Sequence, residues 1–409
     1  MAKNNKQAAI GFIFVTLLID VTGFGIIIPV IPELIADMLH IHINEASKYG
    51  GWLTAAYAIM QFICSPALGN LSDKYGRRPV LLFSLFGFGM DYLILALAPN
   101  YYWLFLGRII AGITGASFST ASAYIADIST NENRAKNFGM IGAAFGAGFI
   151  LGPALGGLLG ELGTRVPFYA AAILALVNWL YGYFVLPESL PKDRRRAFDW
   201  KTIIPGRSIL KFKKYPMITG LFLSFTFIYL AAHAVQSNWN FYTIYRFGWS
   251  KGMVGISLAV VGALVGIVQG VLIRSINPKL GNNRSVYAGL ILYAIGMVLF
   301  GLATQGWMMF VFLIPYCLGG ICGPALQAII SQHVPSNEQG ELQGALTSLM
   351  SITSIFGPVM MTSLFSFFTT DKAPVHLPGI SFFAGALLML ISAGAAYLVL
   401  SREQKPAAG

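Results

Sequence analysis

Long uncharged runs of apolar residues alternate with short polar turns along the whole chain. Residues 51–68 and 80–90 contain no charged side chain, whereas the turn between them, GNLSDKYGRRPV at 69–80, is polar and basic. A helix that crosses a bilayer needs about 20 apolar residues, and the predicted spans that contain these runs, 49–70 and 79–98, have that length. The pattern predicts twelve spans, near 8–34, 49–70, 79–98, 101–126, 137–160, 166–186, 216–244, 252–275, 284–304, 307–331, 341–369 and 377–401.

The gap at 187–215 is longer and more basic than the others. It divides the chain into two predicted six-helix bundles, 1–186 and 216–409, joined by a basic linker. The halves repeat each other in register, because Gly139 recurs as Gly344 and Gly152 as Gly357, in both cases 205 positions later. A parallel duplication of six spans is typical of transporters that bind substrate at mid-membrane between the halves.

Composition supports an all-α integral membrane protein. Of 409 residues 56% are hydrophobic and 11% charged, and the continuous apolar runs exclude the alternating strands of a β-barrel. The net charge of +11 comes from cations concentrated in alternate loops, which predicts that both termini are cytoplasmic and argues against nucleic-acid binding. Few cations fall on the opposite side: Lys48, Arg165, Arg246, Lys251 and Lys372. The three cysteines lack metal-ligand spacing, so we predict no metal site.

Four ionisable residues lie within apolar runs, where an isolated charge is costly and usually functional. They are Asp20, Asp91, Arg108 and His233. Asp20 and Arg108 are candidate partners across a cavity, in which the carboxylate alternates between a proton, the arginine and substrate; the alternative is a static ion pair that fixes helix packing. Asp91 is either part of this machinery or a wetted residue near the outer side, and His233 is either a proton relay or a hydrogen-bonded core residue.

Polar and aromatic side chains within the runs are candidates for the substrate cavity: Gln61, Asn238, Trp239, Tyr242, Gln269 and Gln327. An aromatic stripe at helical spacing is also typical of a protein core or a lipid-facing surface, so Trp239 and Tyr242 have both interpretations open. No nucleophile elbow, phosphate-binding loop or metal-spaced cluster is present, and an enzyme is therefore not expected.

Four motifs resemble the major facilitator superfamily, and within it the tetracycline-resistance type of drug:proton antiporter. They are GNLSDKYGRRPV at 69–80, LGRIIAGITGA at 106–116, the glycine pattern at 139–157 and FYTIYRFGWS at 241–250. The resemblance implies the major facilitator fold, alternating access, a small-molecule substrate, a proton gradient in place of any cofactor, and a monomer in the bacterial inner membrane. The same fold serves importers or facilitators of sugars, organic acids or vitamins, which remain the alternative.

The resemblance also implies roles for two groups of residues. The turn and the end of span four would form a cytoplasmic latch, made of Gly69, Asp73, Arg77, Arg78 and Asp127. Span five carries the antiporter signature at Gly148, Gly152, Pro153, Gly156 and Gly157. In the same family an acid in a DYL context, here Asp91, is needed for transport, and glutamines at the places of Gln61 and Gln269 surround the substrate.

The second half departs from that family. Val265 stands where tetracycline exporters have a histidine, and Tyr293 stands where they have an acid. Proton coupling would therefore depend on the first half and His233, and a magnesium–tetracycline substrate is in doubt. The second-half turn NPKLGNNR also lacks the acid that corresponds to Asp73, so the latch is expected in the first half alone.

Overall fold

Helices form almost all of the described chain. The structure, a computed structural model, describes residues 2–115, 117–130, 133–198, 206–212, 215–335 and 338–403, and these ranges contain no β-strand. The first half contributes α1 (Ala2–Ile27), α2 (Ile31–Leu39), α3 (Ile43–Tyr75), α4 (Arg77–Leu97), α5 (Tyr101–Thr114), α6 (Ser117–Ile128), α7 (Arg134–Glu161) and α8 (Val166–Val185). The linker holds α9 (Arg207–Lys211); linker residues 199–205 and 213–214 lie outside the described ranges.

The second half repeats this arrangement of long helices. It contains α10 (Pro216–Gln236), α11 (Trp239–Phe247), α12 (Lys251–Ile267), α13 (Ile273–Leu280), α14 (Asn282–Leu302), α15 (Gly306–Leu318), α16 (Cys322–Gln332), α17 (Gln339–Phe368) and α18 (Ile380–Glu403). Within the described ranges, twelve stretches are long and apolar enough to cross a membrane, from Ile10–Leu39 to Ile380–Ser401. The predicted all-α fold with twelve spans is therefore confirmed.

Several spans are interrupted, each by an identifiable local cause. A 3-10 turn at Ile28–Val30, which contains Pro29, separates α1 from α2, because proline cannot continue the helical hydrogen bonding. Gly115 ends α5 with non-helical backbone angles before α6 begins. A π-helical turn at Val268–Leu272 joins α12 to α13. Turns of this kind often mark functional positions in membrane helices.

The described contacts divide the chain into two compact units. Unit 1 comprises Met1–Ile41, Ala56–Ile204 and Ser250–Gly262, and unit 2 comprises His42–Ala55, Pro205–Trp249 and Ala263–Gly409. The units follow the predicted halves with one exchange: the first turns of α3 pack in unit 2, and the first turns of α12 pack in unit 1. The boundary at 187–215 therefore describes the order of the chain, and its status as a domain boundary stays a prediction.

The glycines of α7 bring its backbone against α1 in unit 1. Gly148, Gly152 and Gly156 face α1. A Cβ on Gly152 would lie 2.7 Å from the Thr22 carbonyl oxygen, and one on Gly156 would lie 2.8 Å from the Ile26 Cα. Since backbone atoms cannot rotate away as side chains do, only glycine permits this approach.

The opposite side of α7 packs in the same way against α12. A Cβ on Gly157 would lie 3.1 Å from the Gly252 Cα, and one on Gly255 of α12 would overlap the Pro153 carbonyl oxygen. Gly139 lies at the other end of α7, where an added Cβ would meet no described atom within 4 Å. Close packing therefore does not explain that glycine.

Substitution of Gly156 by alanine is expected to destabilise the protein by about 1–3 kcal/mol, because the new methyl group would overlap the Ile26 backbone. Gly146 is the matched control on the same helix, since a Cβ there meets no described atom within 4 Å. Thermal unfolding of the purified protein should show a lower midpoint for Gly156→Ala and an unchanged or slightly higher one for Gly146→Ala. Equal midpoints for the two variants would contradict the close contact.

Candidate transport site and latch

Arg108 and Asp91 form an ion pair inside unit 1. Arg108 on α5 donates from Nη2 to Oδ2 of Asp91 on α4, and the two residues are 7% and 0% exposed. Gly107 leaves room for the acid, because a Cβ there would lie 2.8 Å from Asp91 Oδ1. The expected pairing of Arg108 with Asp20 is thus wrong for this conformation. Asp91 is also fully enclosed, not wetted.

Asp20 on α1 lacks a charged partner among the described residues. Ser117, at the start of α6, is the side chain that interacts with its carboxylate. Both carboxylate oxygens are enclosed, and neither makes a hydrogen bond of standard geometry within the described ranges. An enclosed carboxylate without hydrogen bonds is costly as an anion and is therefore readily neutralised by a proton. Buried polar groups left in this way are exceptions that require a functional explanation.

Tyr57 and Gln61 on α3 complete the polar cluster. The charges of Arg108, Asp91 and Asp20 all act on the Tyr57 hydroxyl, so the three belong to one electrostatic environment. Gln61 Nε2 donates to the Tyr57 hydroxyl at 2.9 Å and to the Gly115 carbonyl at 3.1 Å. Gln61 thus binds the break between α5 and α6, and interrupted helices of this kind line transporter sites.

Tyr57 and Ser117 were not among the residues predicted from the sequence. The spacing of Tyr57 one helical turn before Gln61 is a signal that could have identified the tyrosine, because residues four apart share a helix face. Ser117 is one of several hydroxyl residues in this part of the chain, and its sequence neighbours do not distinguish it. Only the position of α6 beside α1 does so.

The predicted latch residues lie together on unit 1. Arg77 at the start of α4 pairs with Asp73 through Nη1 at 2.6 Å and with Asp127 at the end of α6 through Nε at 3.1 Å. Its Nη1 also donates to the Ser72 hydroxyl at 2.6 Å, and that hydroxyl donates to the Gly69 carbonyl at 2.7 Å. One guanidinium therefore joins the ends of three spans.

Glu188, which follows α8, was missed by the sequence reasoning. Its carboxylate accepts from the backbone amides of Arg77 at 2.8 Å and Arg78 at 3.3 Å, at the positive N-terminal end of α4. Arg78 also donates from Nη2 to the Tyr183 carbonyl at 2.6 Å, on the last turn of α8. Gly76, with φ of 110°, makes the sharp turn that exposes these amides. The network is thus broader than the predicted latch.

Trp239 and Tyr242 are buried in the aromatic core of unit 2, each about 1% exposed. The Trp239 ring lies 5.1 Å from Phe300, and the Tyr242 hydroxyl donates to the Phe300 carbonyl at 3.0 Å. These contacts give both residues a structural role, and substrate contact by them stays a prediction. Asn238 is also fully buried, and within the described part of the chain its amide makes no hydrogen bond.

The remaining candidates of unit 2 have different surroundings. Gln269 is exposed on the π-helical turn, whereas Gln327 on α16 interacts with the hydroxyl of Tyr229 on α10. His233 is 7% exposed, and a Cβ on Gly357 of α17 would overlap its ring. The described contacts of the His233 side chain include no acid, and its part in proton coupling stays a prediction.

The two positions that depart from the resembled family, Val265 and Tyr293, carry no charged side chain. Tyr293 lies with its ring 5.0 Å from that of Tyr316, and both belong to the interior of unit 2. Val265 is half-buried on α12. Within the described ranges, no group of three His, Cys, Asp or Glu side chains is placed to hold a metal ion.

Sequence comparison identifies relatives over almost the full chain. A model of the Major Facilitator Superfamily matches residues 13–358 and 246–409. Tetracycline resistance protein, class C, from Escherichia coli is 40% identical over 391 residues, which is 96% of each chain. Class D from Salmonella ordonez is 41% identical over 88% of this chain and 90% of its own. Multidrug resistance protein 2 from Bacillus subtilis is 28% identical over 94% of each.

Solved structures agree on the fold. The human organic anion transporter TETRAN superimposes with a TM-score of 0.72 at 22% identity, covering 96% of this chain and 99% of its own. The nucleoside transporter NupG gives a TM-score of 0.80 at 13% identity over the same shares. The sequence relatives favour drug export over the import of a metabolite. The chain therefore belongs to the major facilitator superfamily, as a secondary transporter of the drug:proton antiporter type.

Proposed function

We propose that the chain exports amphipathic drugs similar to tetracyclines from the cytoplasm in exchange for protons. The relatives named as tetracycline resistance proteins support the substrate class. The excess of Lys and Arg in the turn at 69–80 and the loops on its side supports cytoplasmic termini and, for a bacterial chain, the inner membrane. The protein acts without a cofactor and as a monomer.

Asp20 is the carboxylate that exchanges a proton for substrate. The observation that carries this assignment is its enclosure without a described hydrogen bond or counter-charge, while the charge of Arg108 is already neutralised by Asp91. Protonation from outside would discharge the site and release a cationic or polar substrate. Loss of the proton to the cytoplasm would restore the anion and allow the next molecule to bind.

Other residues position this carboxylate and the drug. Arg108 and Asp91 form a neutral pair in the same electrostatic environment as Asp20, and Gln61 holds the broken span through Gly115. Contacts from unit 2 are assigned to Asn238, Gln269 and Gln327, with His233 as a secondary proton site. Because Val265 and Tyr293 provide neither an imidazole nor an acid, the drug is proposed to bind free of metal.

Efflux in cells tests the proposal as a whole. Expression in a bacterium that lacks its own drug pumps should lower the accumulation of tetracycline or of a cationic fluorescent dye, and a protonophore should abolish the difference. The Asp20→Asn protein is the inactive control. Unchanged accumulation of every compound in a broad panel would contradict export.

Replacement of Asp20 and of Asp91 by asparagine should have different effects on the stability of the protein. Asp20→Asn is expected to remove proton-driven efflux while leaving thermal stability unchanged or raised, because it eliminates a buried anion that has no described counter-charge. Asp91→Asn leaves Arg108 enclosed without its counter-charge and is expected to cost about 3–5 kcal/mol. Thermal unfolding and proton-driven uptake into inverted vesicles measure the two effects. Normal pH-dependent transport by Asp20→Asn would refute its assignment.

The latch acts through Arg77, whose charge is shared by Asp73 and Asp127. Asp73→Asn should reduce the transport rate several-fold with little change in drug affinity, since the turn lies away from the Asp20 cluster. Lys279→Asn, in the second-half turn, is the control, because no described acid pairs with that lysine. Initial rates over a range of drug concentrations separate KM from kcat. Equal losses in both variants would remove the case for a latch confined to the first half.

A further inference from the structure

The first turns of α12 belong by sequence to the second half but pack in unit 1. Segment Ser250–Gly262 lies against α7, where Gly157 and Gly255 bring the two backbones together. A Cβ on Gly255 would lie 3.0 Å from the Gly157 Cα. The contact lies at the ends of the spans opposite the latch turn, because α7 crosses the membrane once between Arg134 and Glu161.

A lysine fixes this segment to the first half. Lys251 Nζ lies 2.6 Å from Oε2 of Glu33 on α2 and donates to the Thr164 hydroxyl, after α7, at 3.3 Å. The Lys251 and Glu33 side chains are 15% and 32% exposed, so the pair is partly shielded from water. Such shielding makes a charge-assisted bond stronger than one on an open surface.

A second carboxylate binds the same turn from the other side. Glu161 Oε1 accepts from the Gly252 backbone amide at 2.8 Å, and Glu161 also interacts with the Ser250 hydroxyl. The amides at the start of a helix have no partner within that helix, so this carboxylate caps α12. Lys251 and the helix start are thus held by two acids, Glu33 and Glu161, that lie far earlier in the chain.

The exchanged segment of unit 2 is held by uncharged contacts. In His42–Ala55, Asn44 Nδ2 donates to the Thr369 carbonyl at 3.1 Å, and Ser47 Oγ donates to the Thr362 carbonyl at 3.2 Å. Lys48 lies in this segment, but its side chain is exposed and no described acid pairs with it. The two exchanged segments therefore occupy equivalent positions in the two repeats. The polar contacts of 250–262 include charged groups and are stronger, whereas those of 42–55 are uncharged.

We propose that Lys251, Glu33 and Glu161 form an ionic clamp that keeps the face opposite the latch turn closed, and that its rupture controls opening of that face. In alternating access, segment 250–262 must separate from the first half of the chain and segment 42–55 from the second half. Of these two contacts, that of 250–262 is the stronger, because it includes charged groups. Lys251 is thus a positioning residue for transport, which acts on the gate and not on the drug. The inference rests on alternating access and does not depend on the proposed substrate.

Hydrogen exchange of the purified protein in lipid nanodiscs, without drug or proton gradient, tests the clamp. Lys251→Gln and Glu33→Gln should each raise amide exchange about fivefold in 250–262 and also in 42–55, because opening of the face exposes both segments together. Lys48→Gln is the matched control and should change neither. Exchange in α14 and α18 monitors folding, since neither helix carries a residue of the clamp.

Three outcomes would overturn the proposal. Faster exchange confined to 250–262 would mean local fraying of that segment. No change in either variant would mean that the Lys251–Glu33 pair does not keep the face closed. An equal effect of Lys48→Gln would mean that any loss of positive charge has the same result. The Lys251→Gln, Glu33→Gln double variant should match the single ones, because both remove the same bond.

Glu161 provides a further check within the same clamp. Glu161→Gln keeps an oxygen that can accept from the Gly252 amide and should retain most of the slow exchange, whereas Glu161→Ala should resemble Lys251→Gln. In drug efflux, Lys251→Gln should change kcat with little change in KM. A changed KM with unchanged kcat would place Lys251 at the substrate and would also contradict the clamp.

Discussion

Placing charge inside hydrocarbon constrains this protein more than any other feature. Arg108 is tolerated there because Asp91 neutralises it, and Gly107 leaves the space that the acid needs. The pair uses up the positive charge and leaves Asp20 as an enclosed acid, beside which the described chain places a serine hydroxyl and no cation. An arrangement that gave Arg108, Asp91 and Asp20 each a partner would be more stable. In such an arrangement Asp20 would no longer favour the binding of a proton.

Contact between helix backbones is the second organising feature. The glycines of α7 lie on two faces, one against α1 and the other against α12. Both contacts depend on the absence of side chains, so the helix can lie closer to its neighbours than leucine or valine would permit. Asp20 on α1 and Glu161 on α7 are carried on helices that this packing brings together.

Much of the fold could be predicted from the sequence, because the signals are local. Apolar runs define the spans, glycine and charge define the turns, and the common displacement of 205 positions reveals the duplication. The turn at 69–80 also contains Asp73 and Arg77, whose grouping in a latch is implied by the resemblance of this motif to the family. The exchange of segments between units has no such signal, since it depends on how whole helices tilt.

Partners that are distant in the chain could not be chosen in the same way. Asp20 and Asp91 both lie within apolar spans, and only the packing of the helices decides which one meets Arg108. Glu188 reaches the start of α4 across 111 positions of sequence, where its neighbours Pro187 and Ser189 show only the end of a span. Aromatic residues such as Trp239 and Tyr242 occur both in binding surfaces and in protein cores. The sequence does not distinguish these two environments, whereas burial in the structure does.

The backbone contact between α7 and α12 has a mechanical consequence. Two surfaces of glycine have no interlocking side chains, so one helix can roll or slide on the other without repacking a core. The resistance to that movement is then concentrated in the few polar bonds at its end, made by Lys251 and the Gly252 amide. Under the proposed clamp, the pace of the motion depends on how readily water solvates an ammonium and two carboxylates.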